Sequence, residues 1–444
     1  MSTCSFAPSR ALRLSRLLLA GGLIGAPLSC SDPRGLPGPD DDDRRPPLPL
    51  RLLDDRFERW LPDNRQKLNA LIHDVGSTSA TFDPDRRPVA VFDWDNTLMK
   101  NDMGDATFFW MLRHDKVLQP ADKDWSTTSR HLTEDALRAL ATVCGPLSEP
   151  GTPLPTSLDA DCADELVSIY TQGRTRTAQA AWSAPVTLTF QASYAWLAQL
   201  QAGYMPEELR AFARAAYAEN AAQAPGTTQT VGSTPGLPHH ARIYEEMVDL
   251  VGTLRDNGFD IWVLSASPQF VIDALSQQLI GVEPGHVVGI RSVTDARGRL
   301  TARLQGCGPV PDGEDTLITY DQGKRCWINK ALYHLPPEQQ LARQPDERQR
   351  QVFAAGDSDT DLAFMQDATR LKLAINRNKV QLMCNAYANL RGTWLVQPMF
   401  VQPAPQAPRP YPCTTALDAA GQPIVDEEGQ RFRGDMEDTV HRLP

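Results

Sequence analysis

Short apolar runs ending in an acidic or small polar residue recur along the chain, with helical periodicity between them. Pro88-Val-Ala-Val-Phe-Asp93 has the look of a buried parallel strand, apolar on both faces and closing on an acid. Similar runs follow at Phe259–Leu264, Val352–Ala355, Leu371–Ile375 and Thr393–Val396. Helical spacing over Arg56 to about Val75 precedes the first run, with Phe57, Trp60, Leu61, Leu68, Leu71 and Ile72 on one face. Further helices are expected at Ile243–Asn257, Gln269–Leu279, Thr360–Met365 and Lys379–Leu390. Alternating strands and helices predict an α/β fold with a doubly wound, mostly parallel sheet, whose ligand site lies beyond the strand carboxyl ends.

Residues from about 101 to 240 break the alternation. They read as helices between Pro- and Gly-containing loops, such as Ser193–Gln201 and Pro206–Asn220, the latter opened by Pro206-Glu207-Glu208. A helical cap inserted after the first core strand is expected there, with 53–100 and 241–400 forming the core and 401–444 a C-terminal extension. The Gly/Pro/Thr-rich stretch Ala224–Pro238 reads as a loop or hinge.

The amino-terminal region is of another kind. Arg10, Arg13 and Arg16 precede an apolar run, Leu17–Leu28, too short to span a bilayer comfortably. This is the pattern of an export signal over residues 1–30, and it predicts the periplasm or cell envelope as destination. Leu28-Ser29-Cys30 resembles the lipobox of bacterial lipoproteins, which would leave Cys30 as a lipid anchor, although Pro27 stands where that motif usually carries Leu. Residues 31–52 are polar and proline-rich and read as a disordered tether. Setting Cys4 and Cys30 aside leaves six cysteines, which in an oxidising compartment suggest three disulfides. Closeness in sequence favours Cys144–Cys162, Cys307–Cys326 and Cys384–Cys413. No CxxC pair and no cluster of histidines beside cysteines points to zinc.

Composition narrows the function classes. The chain has 444 residues, 41% hydrophobic and 22% charged, in the range of globular proteins, and a formal net charge of -11. That sign argues against a nucleic-acid partner, since phosphate backbones select basic surfaces.

Four motifs carry candidate chemistry. Asp93-Trp94-Asp95-Asn96-Thr97 sets two carboxylates where the chain leaves the first strand, so one can act as nucleophile and the other as acid/base. Ser265-Ala266-Ser267 ends the second apolar run, and a hydroxyl there can donate to a phosphoryl oxygen. Lys324 enters a helix near Trp327–Leu332, where a lone lysine would ordinarily be solvated. Gly356-Asp357-Ser358-Asp359-Thr360-Asp361 crowds acids at a strand-to-helix turn, which repel one another unless a cation or lysine relieves them. A cap on this turn by Ser358 or Asp359 would account for one acid only.

These motifs, in this order on an alternating α/β chain, resemble the haloacid dehalogenase superfamily over about Asp55 to Met399. An aspartate two residues after the first resembles its phosphatase and phosphomutase branches. The resemblance implies Mg2+-dependent hydrolysis of a small phosphomonoester through an aspartyl-phosphate on Asp93, with Asp95 as acid/base. It implies a metal site at Asp93, Asp95 (through its backbone carbonyl), Asp357 and Asp361, the last orienting Lys324 or lying in the outer metal shell. Around the phosphoryl group it implies Asp93, Thr97, Ser265, Ala266 and Lys324. Asn101-Asp102-Met103-Gly104-Asp105-Ala106, Ala202-Gly203-Tyr204-Met205-Pro206 and Ile318-Thr319-Tyr320 further resemble the exported phosphorylcholine phosphatases, in which an acidic pair is linked to choline recognition. Here the pair reads Gly104-Asp105, one acid short. The head-group expectation therefore rests on Asp105 and an aromatic such as Trp110, from a set that includes Phe108, Phe109, Trp182, Tyr194, Trp196 and Tyr204; the alternative is that these rings form the cap's own core. Phosphoserine, phosphoethanolamine or another small phosphomonoester is the alternative substrate, a phosphomutase stays open, and a non-catalytic surface lipoprotein is the non-enzyme alternative.

Overall fold

The computed structural model describes residues 49–444. The export signal, Cys30 and all but the last residues of the tether lie outside the described residues. Among the described residues, no helix is long and apolar enough to cross a membrane.

The first helix, α1 (Pro62–Val75), begins at a proline that presets the first turn and buries Leu68, Leu71 and Ile72. It starts six residues later than the periodicity suggested, because Pro62 has no N–H to continue a helix from upstream. Strand β1 (Val89–Phe92) follows, then the two-residue β2 (Met99–Lys100). Five helices outside the main sheet come next: α2 (Met103–Arg113), α3 (Glu134–Val143), α4 (Ala160–Gln172), α5 (Ala192–Gln199) and α6 (Pro206–Ala222). The segment expected to be a loop at 224–238 is instead a hairpin, β3 (Thr228–Val231) and β4 (Thr234–Pro238), turned at Gly232 with φ of 58°. Alternating burial of Gln229 and Val231 against the inserted helices outweighs the low strand propensity of Gly and Pro. Strand β5 (Arg242–Ile243) then pairs antiparallel with β2 and closes the neck of the inserted region.

The chain returns through α7 (Glu245–Asp256), β6 (Asp260–Pro268), α8 (Gln269–Ile280) and β7 (Val287–Ile290). An antiparallel pair, β8 (Ser292–Thr294) and β9 (Leu300–Leu304), leads to α9 (Gln322–Ala331) and α10 (Pro337–Gln340). The remaining elements are β10 (Phe353–Gly356), α11 (Leu362–Asp367), β11 (Leu371–Asn376), α12 (Val380–Ala388) and β12 (Trp394–Pro398). Six strands form one sheet in the order β12-β11-β10-β1-β6-β7, and every pairing in it is parallel. The fold is thus α/β with a parallel, Rossmann-type sheet and additional helices.

Helices cover both faces of the sheet. Phe92, Val263 and Leu373 point into one apolar cluster with α1, α7 and α8, whereas Val91, Leu264 and Ala374 point into a second with α9, α11 and α12. The inserted helices have a core of their own, built from Phe108, Phe109, Trp125, Leu140, Leu166 and Trp196. Disulfides join Cys144 to Cys162, Cys307 to Cys326 and Cys384 to Cys413, the pairing that closeness in sequence favoured.

Candidate active site

In a parallel sheet all carboxyl ends share one edge, so residues that follow different strands meet there. Asp93 follows β1 and extends its ladder by one bond, N–H to the Ala355 carbonyl at 2.9 Å. Ser265 lies on β6, Asp357 follows β10 and Arg377 follows β11. Gly356 lets the turn after β10 fold back tightly: a Cβ there would stand 2.6 Å from Asp361 Cβ and 2.7 Å from Met365 Sδ. Asp361 is thereby drawn under the sheet edge, where its Oδ2 accepts from the Asp357 and Ser358 N–H groups at 3.0 and 2.9 Å. Asn96 turns the chain after the first motif with φ of 61°, a conformation asparagine tolerates.

Lys324, at the start of α9, is buried and salt-bridged twice, to Asp93 Oδ1 at 2.7 Å and to Asp361 Oδ1 at 2.5 Å. Burial would lower its pKa, but Asp361 and Asp93 outweigh this and hold it above the ordinary lysine value. Asp93 is pushed well above the usual carboxylate range by burial, with Asp361 adding to the shift and Lys324 opposing it. Asp357 is raised by burial too, and Arg377 restrains it. Asp95 points elsewhere: Oδ1 accepts from the Met103 N–H at 2.7 Å, and Oδ2 accepts from the hydroxyls of Ser267 at 2.7 Å and Ser265 at 3.2 Å. Burial, followed by the charge of Asp102, drives its pKa well above normal.

Three carboxylates, Asp93, Asp357 and Asp361, offer oxygens within 4.8 Å of one another. The Thr97 hydroxyl lies 2.9 Å from Asp93 Oδ2 and 3.0 Å from Asp357 Oδ1, and its single proton can satisfy only one of them. With Lys324 and Arg377 as the cations in contact with this cluster, a hard divalent cation fits its oxygen set and its charge. The Asp95 side chain is not part of it, being held by Ser265, Ser267 and Met103.

A cavity of about 400 Å3 opens over these groups. Asp93, Asp95, Ser265, Ala266, Lys324 and Asp357 line its floor, and Asp105 lines it as well. Thr97 and Asp361 lie behind that floor, Thr97 bonded to the Asp93 and Asp357 carboxylates and Asp361 to the Lys324 ammonium. Trp110 is away from the cavity, a correction to the sequence expectation: it stacks on His114 at 4.3 Å and packs on Phe212 of α6 at 5.5 Å. Phe108, Phe109 and Trp196 belong to the core of the inserted helices, and of the aromatics considered only Tyr194 lines the cavity, 5.9 Å from Tyr320.

The sequence gives no role to Asp102, quoted only within its motif, and none to Arg377. Asp102 caps α2, its Oδ1 accepting from the Asp105 N–H at 2.9 Å, and shares the cavity wall with Asp105. Spaced three residues apart, Asp102 and Asp105 bring both carboxylates to the same part of that wall. Asp105 accepts from the Tyr170 hydroxyl at 2.5 Å, and burial together with Asp102 raises its pKa to about 7. Arg377 could have been found as the first charged side chain beyond the β11 run.

The haloacid dehalogenase-like hydrolase family matches residues 156–366, a span that holds Ser265, Lys324, Asp357 and Asp361 and leaves out β1 with Asp93. No curated protein matches the chain. Among solved structures, a conserved protein of unknown function from Anaerococcus prevotii superposes with a TM-score of 0.53 at 20% identity, covering 75% of this chain and 91% of its own. A protein of unknown function from Bordetella pertussis gives 0.41 at 17% identity over 71% and 99% of the two chains. A phosphoserine phosphatase bearing a phospho-aspartyl intermediate analogue gives 0.31 at 12% identity over 65% and 87%. The Anaerococcus likeness speaks for the fold. The family match over residues 156–366, together with acids from separate strands gathered around one buried lysine, points to a hydrolase of the haloacid dehalogenase type.

Proposed function

We propose that the chain hydrolyses a small phosphomonoester in two steps, through an aspartyl-phosphate on Asp93, and that the preferred leaving group is choline. The observation that carries the reaction is the separation of roles between two aspartates two residues apart. Asp93 contacts a lysine and faces the cluster suited to a cation, whereas Asp95 sits among hydroxyls with its pKa raised.

Asp93 attacks phosphorus, and the bond to the leaving oxygen breaks as Asp95 gives that oxygen its proton. In the second step Asp95, now a carboxylate, takes a proton from water as the water oxygen attacks phosphorus and the bond to Asp93 breaks. Burial raises the Asp95 pKa and so favours the protonated form that the first step needs, and the Ser267 hydroxyl steadies its carboxylate in the second. Lys324 and the Ser265 hydroxyl face the phosphoryl oxygens, where charge is held in the transition state. Bound at Asp93 and Asp357, Mg2+ would supply positive charge to the phosphoryl group and keep Asp93 ionised. The region 101–240 serves as a cap that excludes water from the cavity and contacts the leaving group.

Asp102, Asp105 and the rings of Tyr194 and Tyr320 support a quaternary ammonium on the leaving side, since carboxylates and aromatic faces both attract such a cation. Lys379 also lines the cavity and favours a second reading, a zwitterionic leaving group such as serine, with its carboxylate on Lys379. Turnover of phosphorylcholine, phosphoserine and p-nitrophenyl phosphate with Mg2+ tests both. Phosphorylcholine is expected to give the highest kcat/KM, and equal values for all three would remove the head-group assignment. Asp93→Asn is expected to abolish turnover of every substrate; retained turnover would overturn the mechanism.

A further inference from the structure

The loop that carries Arg377 is held from the far side of the molecule by the C-terminal segment. Arg377 Nη1 donates to Asp357 Oδ2 at 2.6 Å, leaving Oδ1 directed to Thr97 and the carboxylate cluster. Both neighbours of Arg377 are asparagines whose polar atoms are taken up by residues 405–440. Asn376 Nδ2 donates to Asp438 Oδ1 at 3.0 Å and to the Val440 carbonyl at 2.7 Å. Asn378 Nδ2 donates to the Pro405 carbonyl at 2.8 Å, and its Oδ1 accepts from the Tyr411 hydroxyl at 2.6 Å. Asn378 holds φ of 59°, so the turn is set by these bonds as well as by the backbone. Asp438 is itself buried, accepting from the Tyr387 hydroxyl at 2.7 Å and the Ala407 N–H at 2.8 Å. The Cys384–Cys413 disulfide ties the segment to α12 beside this loop.

We propose that the C-terminal segment is a working part of the cation site: it fixes Asn376 and Asn378, and through them Arg377, whose guanidinium is a positioning residue that turns Asp357 Oδ1 toward the cation. The proposal rests on the divalent-cation reading of Asp93, Asp357 and Asp361. A carboxylate free to rotate loses affinity for a metal, and outer partners of metal ligands change affinity by about 10- to 100-fold when removed. Against this works the repulsion between a guanidinium and a divalent ion, so the sign of the effect separates orientation from competition.

The test is calorimetric titration of Mg2+ into the chelator-treated full chain, without substrate, alongside thermal melting. Arg377→Gln is expected to weaken Mg2+ binding about 10- to 100-fold, and Arg377→Lys to recover part of it. Tyr411→Phe, which removes the hydroxyl bonded to Asn378, is expected to weaken binding by a smaller factor in the same direction, although residue 411 lies outside the cavity. Mg2+ binding by Arg377→Gln equal to or tighter than that of the unaltered chain would overturn the orienting role. A Tyr411→Phe variant with a lowered melting temperature and unchanged Mg2+ affinity would overturn the role of the segment. If the unaltered chain itself takes up no Mg2+, the inference falls together with the cation reading, whereas the other two outcomes leave that reading standing.

Discussion

Lys324 is the most exposed point of the energetic argument, though it is among the most buried side chains. Methionine in its place keeps the length and apolar stem and removes the charge. The Lys324, Asp93 and Asp361 side chains are 1%, 7% and 0% exposed, so the variant leaves two carboxylates in a poor solvent without their shared counter-ion. Removing one partner of a buried ion pair costs about 3–5 kcal/mol. At roughly 2 °C per kcal/mol for a fold of this size, the melting temperature of Lys324→Met falls by about 6–10 °C. The pH dependence follows from sign. Asp93 already binds its proton more tightly in the folded chain than in the unfolded one, and losing Lys324 strengthens that preference. A carboxyl with a raised folded pKa contributes stability below its unfolded pKa and loses it as pH rises through the folded value. The deficit of the variant is therefore largest near pH 8 and shrinks toward pH 5. Melting curves of both proteins in chelator across that range measure it. A deficit that is the same at both ends, or below about 2 °C throughout, would refute the claim that these acids depend on the lysine charge.

The remaining predictions concern the cavity wall and its supports. With a pKa of about 7, Asp105 is one-eleventh ionised at pH 6 and ten-elevenths ionised at pH 8, so KM for phosphorylcholine is expected to fall about tenfold over that interval. KM for p-nitrophenyl phosphate should not follow, and Asp105→Asn should flatten the phosphorylcholine profile. Gly104→Ala ought to help a helix by about 1 kcal/mol on propensity alone, yet its Cβ would stand 2.7 Å from Ser267 Oγ and 3.0 Å from Asp102 Oδ1. Ser267 would then be pushed off Asp95, and kcat is expected to drop about tenfold, or ~1.4 kcal/mol in barrier. The Cys307–Cys326 bridge ends two residues beyond Lys324, and replacing both cysteines with serine should cost roughly 3 kcal/mol through loop entropy. Activity should fall with it, and unchanged melting and turnover would count against a bracing role.

Five of the six core strands were legible because each is buried on both faces, and four of the five apolar runs identified end within two residues of the strands observed; β7, only four residues long, was not among the runs. The second run was cut four residues short, since Ser265-Ala266-Ser267-Pro268 continues β6 past its apolar part. The hairpin at 228–238 escaped notice because its strands are held by neighbours that lie far away in the sequence. Trp110 misled because an aromatic at helical spacing reads the same whichever way the helix is turned. Asp102 looked like an ordinary helix cap, which it also is.

The sequence by itself determined the alternation of elements, the acids at strand ends and the proximity that pairs the cysteines, because burial, turn chemistry and short loop closure act locally. Only the tertiary structure decided which faces meet: that Asp102 joins Asp105, that Trp110 packs on α6 away from the cavity, and that the last forty residues grip the loop beside Asp357. The physical reason is that a side chain's chemistry depends on the charges and solvent around it, and those are brought by segments distant along the chain.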